Sequence, residues 1–200
     1  LYILNKKIKI MILPIRAFGD PVLRKVCKEI TPDYPELSAL IQNMFDTMYK
    51  ANGVGLAAPQ IGLDIRLFIV DATPFAEDEE YEEIADKLKD FKKVFINPTI
   101  IEERGEEWKF NEGCLSIPDV REDVKRKDTI IIEYFDENFV KHTEELSDLR
   151  ARVVQHEYDH IQGILFTDHI SNLKKKLVKG KLQKIEKGEV SVSYKMRFPK

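Results

Sequence analysis

Cysteine is almost absent from this chain: Cys27 and Cys114 are the only two among 200 residues. Two thiols cannot build a disulfide framework, so a hydrophobic core must hold the fold, and a reducing compartment, the cytoplasm, is expected. Long apolar runs are missing too. The longest, Ile65–Val70 and Thr129–Phe135, are broken by Arg66 and Glu133 and are strand-sized. They fall far short of the roughly 18–20 residues that a bilayer-spanning helix needs, and no membrane partner is expected. No low-complexity tract and no internal repeat of roughly 20–50 residues is present, which excludes solenoids and propellers. Histidine is scarce, with four in the chain, so a pair at a meaningful spacing carries information.

What is present suits one domain with a tail. Apolar residues make up 43% and charged residues 34%, enough for a sizeable core. The formal charge of −3 hides a division. Residues 171–200 carry nine lysines, one arginine and two glutamates, a net +8, which leaves −11 on the first 170. A basic tail on an acidic body fits either a solvated helix face or an electrostatic footprint for nucleic acid. Glu77–Asp90, with eight acidic residues and two lysines beside Pro74, reads as a loop or short surface helix without chemistry of its own. Residues 1–10 mix three lysines with scattered apolar residues and lack the core of a secretory signal. Met11-Ile12-Leu13-Pro14 looks like a natural beginning, so residues 1–10 are expected to be an upstream segment, 11–170 a catalytic domain and 171–200 a basic C-terminal tail.

Apolar residues at 37, 40, 41, 44, 45 and 48 predict a helix over Leu37–Lys50 that stops before Asn52-Gly53. Ile65–Val70, Val94–Ile96 and Thr129–Phe135 read as strands, with Asp136-Glu137-Asn138 as a hairpin turn. Leu146–Ile161 is the strongest helix of the second half, with Ser147 or Asp148 as N-cap and Gly163 as stop. In the tail, Leu173, Leu177 and Leu182 could form the apolar side of a helix, and Val190–Phe198 alternates as a terminal strand would. Helices before and after the strands, without βαβ alternation, favour an α+β fold.

The chemistry concentrates in His156-Glu157-Tyr158-Asp159-His160. On a helix, the i, i+4 spacing sets the two imidazoles about 40° apart and one turn along, so both can reach one cation. Glu157 is close enough to serve a water at that cation without being a ligand. A catalytic site needs a third protein ligand. His169 does not fit known extensions of this motif, Glu186 is a possible distant ligand that lies in the basic tail, and Cys114, in Glu112-Gly113-Cys114-Leu115-Ser116-Ile117-Pro118, is the natural candidate. A thiolate suits Fe(II), Zn(II) or Co(II), although a lone cysteine is as a rule a small buried hydrophobe. Gly53-Val54-Gly55-Leu56-Ala57-Ala58-Pro59-Gln60 combines close backbone approach with an amide donor, and would also serve as a tight helix-to-strand connection.

Together, Gly53–Gln60, Glu112–Ser116 and His156–His160 resemble the ordered motifs G-φ-G-φ-A-A-x-Q, E-G-C-φ-S and H-E-x-D-H of the peptide deformylase family, φ being apolar. The likeness extends over roughly Met11 to Ser171 and includes Gly19-Asp20-Pro21-Val22-Leu23-Arg24. It implies antiparallel or mixed β-sheets packed around a central metal-binding helix, followed by a C-terminal extension. It implies metal ligation by Cys114, His156 and His160, with Fe(II) preferred and Zn(II), Ni(II) or Co(II) able to substitute. Glu157 would be general base and then acid; Gln60 and the Leu115 N–H would stabilise an oxyanion. Gly55 would face the substrate backbone, Val54, Phe110, Leu149 and Val153 would line a methionine slot, and Arg126 would lie near the bound peptide or simply on the surface. The implied reaction removes formate from N-formylmethionyl nascent peptides of bacterial type, and the tail would help docking on ribosomal RNA. One departure stands out: Asp148 occupies a position commonly glycine in the family. Two rival readings are an HExxH metallopeptidase and a non-enzymatic metal module closed by Cys27, Cys114, His156 and His160.

Overall fold

The computed structural model describes residues 11–199, so the expectation for residues 1–10 lies outside the described residues. The chain opens with the two-residue strand β1 (Ile15–Arg16) and reaches helix α1 (Leu37–Lys50), where the apolar stripe predicts it. Of the six apolar stripe positions, all but Leu40 are buried. Then come β2 (Gly55–Ala57), β3 (Leu67–Asp71), the short helix α2 (Ala85–Leu88), β4 (Lys92–Cys114), β5 (Ile117–Phe135) and β6 (Lys141–Ser147). Helices α3 (Asp148–Ile161), α4 (Phe166–His169) and α5 (Asn172–Glu186) follow, and β7 (Met196–Arg197) ends the described chain. Strands β2 to β6 form one antiparallel meander, and β7 pairs in parallel with β1. The architecture is α+β.

The continuous apolar run of β3 has a direct cause: both of its faces are covered. Phe68 and Val70 pack with Ala151, Val154 and Ile161 of α3, while Leu67 and Ile69 pack with Met44 and Met48 of α1. The sheet is thus held between α1 and α3, and period-2 alternation gives way to a fully hydrophobic strand. Strand β4 leaves this sheet and β5 returns to it, the two running beyond Arg104 and Thr129 as a two-stranded ribbon; their register shifts between Ile96 and Thr99, Ile100 and Glu102, and Arg104 and Glu107. Such bulges bend and twist a ribbon. The expected strand Val94–Ile96 is only the apolar start of β4, because Glu102–Glu107 is exposed and carries no hydrophobic signal. The Asp136 turn forms as expected, its carboxylate accepting from the Asn138 and Val140 N–H groups at 2.9 and 3.0 Å.

The C-terminal segment is packed against the body. Val178 and Ile185 of α5 are buried with Ile117, Val120 and Val124 of β5, while Leu173 and Leu177 are 69% and 72% exposed. The expected apolar side of this helix is therefore corrected: Leu182 is partly buried, but Val178 and Ile185 make the contact. The strand expected over Val190–Phe198 shrinks to β7.

Helix α3 starts two residues later than predicted. Ser147 stands at the N-cap position but donates its hydroxyl to Asp148 Oδ2 (2.8 Å) rather than capping an N–H. Asp148 has φ +60°, the left-handed region that glycine enters without penalty and aspartate tolerates better than most residues. A requirement of the backbone thus explains why glycine suits this position. Asp148→Gly should leave the urea-unfolding free energy within about 1 kcal/mol of wild type, whereas Asp148→Val should lose about 1–3 kcal/mol, because a β-branched side chain is strained there.

Candidate metal centre and active-site cleft

His156 and His160 lie one turn apart on α3, their ring centroids 5.1 Å apart. The β4–β5 hairpin reverses over two residues, Leu115 and Ser116, between the paired Cys114 and Ile117. That reversal brings Cys114 Sγ to 3.3 Å from His160 Nε2. One donor atom from each of Cys114, His156 and His160 lies within 4.8 Å of the other two, the one such group among the described residues. Burial alone would raise the Cys114 pKa, but the imidazoles of His160 and His156 outweigh it and bring the thiol to about 5. The thiolate is the form that ligates metals. A soft sulfur with two imidazoles fits a divalent transition metal.

The orientation of His156 is set from below. Its Nδ1 lies 2.8 Å from Glu112 Oε2, and because a carboxylate only accepts, the proton sits on Nδ1 and Nε2 is left for a cation. Glu112 is 3% exposed and receives further bonds from Arg126 (Nε 2.7 Å, Nη2 3.1 Å) and from Arg152 Nη1 (3.1 Å). Burial pushes the Glu112 pKa up, yet the bonds from His156 and Arg126 prevail and hold its carboxyl well below the usual range. Arg126 also donates to Asp159 Oδ2 at 2.7 Å, and His169 Nε2 lies 2.8 Å from the same oxygen. Arg152 donates to the Trp108 and Val124 carbonyls and lies 4.4 Å over the Trp108 ring.

Glu157 is 4% exposed and its Oε2 has no hydrogen-bond partner. Burial raises its pKa to about 7 against the pull of His156 and His160. Gly55 provides the space: a Cβ there would come within 2.4 Å of Glu157 Oε1. Gln60 is anchored by its carbonyl, which accepts from Ala57 N–H at 2.8 Å. Its Nε2 is thereby aimed at the hairpin turn, 3.3 Å from Ser116 Oγ and 3.5 Å from Cys114 Sγ.

These groups open into a cleft of about 1080 Å³. Val54, Phe110, Leu149 and Val153 line it, as do Gly55, Gln60, Leu115, His156 and Glu157. Arg126 does not. The surface alternative is corrected, since Arg126 is 8% exposed and its guanidinium is bonded to Glu112 and Asp159. The acidic stretch does reach the cleft, where Asp78, Glu80 and Tyr81 form part of a wall. Also unforeseen are Arg121, whose Nε donates to Asn111 Oδ1 at 2.9 Å, and the C-terminal Tyr194. Residue spacing gives no signal for either, because both reach the cleft through tertiary structure. Cys27 is not in the ligand group; it is buried in the core, its N–H bonded to the Ile161 carbonyl at 2.8 Å. His142 pairs with Asp136.

Removing Glu112 would leave Arg152 without its carboxylate, take one of two from Arg126 and free the His156 ring. Glu112→Ala should cost about 3–5 kcal/mol in urea unfolding and weaken metal retention by about 10–100-fold in a chelator competition.

Comparisons with known proteins identify the family. The family model described as polypeptide deformylase matches residues 12–176. A peptide deformylase of Christiangramia forsetii is 66% identical over 190 residues, covering 94% of this chain and 97% of the relative. That of Flavobacterium johnsoniae is 61% identical over 189 residues, covering 94% and 96%. Among solved structures, a peptide deformylase from Legionella pneumophila superposes with a TM-score of 0.75 at 36% identity, over 90% of this chain and 98% of that one. The Plasmodium falciparum enzyme, solved with an inhibitor, gives 0.73 at 33% identity, over 86% and 99%. The chain belongs to the polypeptide deformylase family.

Proposed function

We propose that Cys114, His156 and His160 hold one divalent metal ion, and that the cleft beside them receives the N-terminus of an N-formylmethionyl peptide, from which formate is hydrolysed. One observation carries this assignment of roles: the unpartnered Oε2 of buried Glu157 beside a Cys-His-His group at a cleft. An ion bound there supplies Lewis acidity toward the formyl oxygen and toward water. Glu157 takes the proton of the attacking water and returns it to the departing amine, and a pKa of about 7 serves both transfers. Gln60 Nε2 and the Leu115 N–H stabilise the developing oxyanion. A formyl carbon bears only hydrogen, so close packing by Gly55 and Leu115 discriminates against an acetyl methyl. Val54, Phe110, Leu149 and Val153 enclose the methionine side chain. Arg126 acts through Glu112 and Asp159 rather than on the peptide. Fe(II) is the resident ion in this reading, in a bacterial cytoplasm, with Zn(II), Ni(II) or Co(II) able to replace it in the purified protein. No helix among the described residues is long and apolar enough to cross a membrane.

Formate release from formyl-Met-Ala-Ser by anaerobically purified, Fe(II)-loaded protein tests the proposal. Glu157→Ala should lower kcat by roughly 10²–10⁴-fold while retaining the metal. Cys114→Ser should lose the metal and Cys27→Ser should keep it; loss in both variants would point to a closed four-ligand module, and retention in Cys114→Ser to an HExxH metallopeptidase with another third ligand.

The outer face of α5 supports the docking role of the basic tail. Lys175, Lys176 and Lys179 are exposed there beside Leu173 and Leu177. Since α5 also contributes to the core, charge reversal tests this better than deletion. Replacing the three lysines by glutamate should weaken ribosome binding in low-salt sedimentation and flatten its salt dependence, with formate release from the tripeptide unchanged.

A further inference from the structure

The two ends of the described chain meet on the turn that carries Leu115. β1 and β7 are paired, Ile15 N–H donating to the Lys195 carbonyl at 2.9 Å and Ala17 N–H to the Arg197 carbonyl at 3.0 Å. Immediately after β1, Phe18 N–H donates to the Ser116 carbonyl at 2.8 Å. Just before β7, the hydroxyl of Tyr194 donates to the Leu115 carbonyl at 2.7 Å. The small parallel pair therefore frames a clamp whose two prongs grip the two residues of one hairpin turn. Met196 and Phe198 pack against the cluster containing Ile117 and Val120, which fixes the frame to β5. On the opposite side, a Cβ at Gly53 would come within 2.7 Å of Leu115 Cδ1, so the leucine side chain is seated as well.

We propose that Tyr194 is a positioning residue for deformylation, holding the Leu115 carbonyl so that the N–H of the same residue faces the reacting formyl oxygen. The inference rests on the oxyanion role of Leu115 stated above. Only two soft dihedrals connect the N–H and C=O of one residue, so fixing the carbonyl removes much of the freedom of the donor. A preorganised donor is worth most in a site that excludes water, where a small rotation loses transition-state stabilisation without altering ground-state binding. The segment that bears Tyr194 also walls the cleft, through Ser191 to Ser193. The C-terminal segment thus takes part in the reaction centre, a role separate from any contact made by α5.

Tyr194→Phe in the full chain is the test, because it keeps the ring and removes only the hydroxyl. The expected result is a kcat for formyl-Met-Ala-Ser lowered about tenfold, with KM within about twofold and with iron content and thermal midpoint unchanged. In zinc-loaded protein labelled with ¹⁵N-leucine, the Leu115 amide resonance should shift and its hydrogen exchange should quicken. An unchanged kcat and amide would overturn the proposal. So would a loss of kcat that tracks loss of metal or of thermal midpoint, which would make Tyr194 a structural tie, or a change confined to KM, which would make it a peptide contact. A folded, iron-loaded wild type that releases no formate would instead overturn the deformylase reading on which the role depends.

Discussion

The buried carboxylate of Glu112 is the constraint on which the rest depends. It belongs to β4, yet its partners come from β5 (Arg126) and from α3 (Arg152 and His156), so one side chain joins the ribbon to the helix that must face it. Ion pairs at this depth contribute little net stability, since desolvation cancels much of the attraction. Their value here is directional. An apolar filling of equal volume could hold the ribbon on the helix as firmly, but it could not orient an imidazole. Asp159 extends the network, because Arg126 spans both carboxylates and ties the end of α3 to its middle.

This arrangement also explains the uneven legibility of the sequence. Helix α1 was readable because its work is purely hydrophobic, and its stripe maps onto one covered face. The His156–His160 spacing was readable because two ligands on one helix must obey helical geometry. Helix α3 as a packed element was less so, since its buried residues include Arg152, Gln155 and His160, whose partners Glu112, Glu103 and Cys114 lie far away in sequence. The same holds for Arg126, which looks like any basic residue of a charged strand until Glu112 is set beside it. The middle of β4 was invisible for the opposite reason: Glu102–Glu107 is exposed throughout and needs no hydrophobic pattern.

The cleft itself is assembled from pieces of different origin. Its floor is helix, its catalytic rim is the tip of a hairpin, and part of its wall is the acidic stretch around Asp78 and Glu80. Phe75 and Tyr81, in edge contact at 5.4 Å, hold that stretch against the body with short helical turns. The chemistry resides in elements fixed by core packing, while the wall uses a connection whose composition can vary without disturbing them. Gly55 shows how tight the fixed part is, for the missing Cβ is what lets a buried glutamate stand where it does.

The parallel pairing of β1 with β7 carries a consequence for the order of assembly. β1 and its partner β7 lie near opposite ends of the described residues. Contacts of such long sequence separation form late, after local helices and hairpins have closed the intervening loops. The meander and α3 can therefore collapse around the ligand residues while the Leu115 turn still lacks both of its terminal clamps. The clamps on the hairpin tip thus require a very long loop to be closed before they can form.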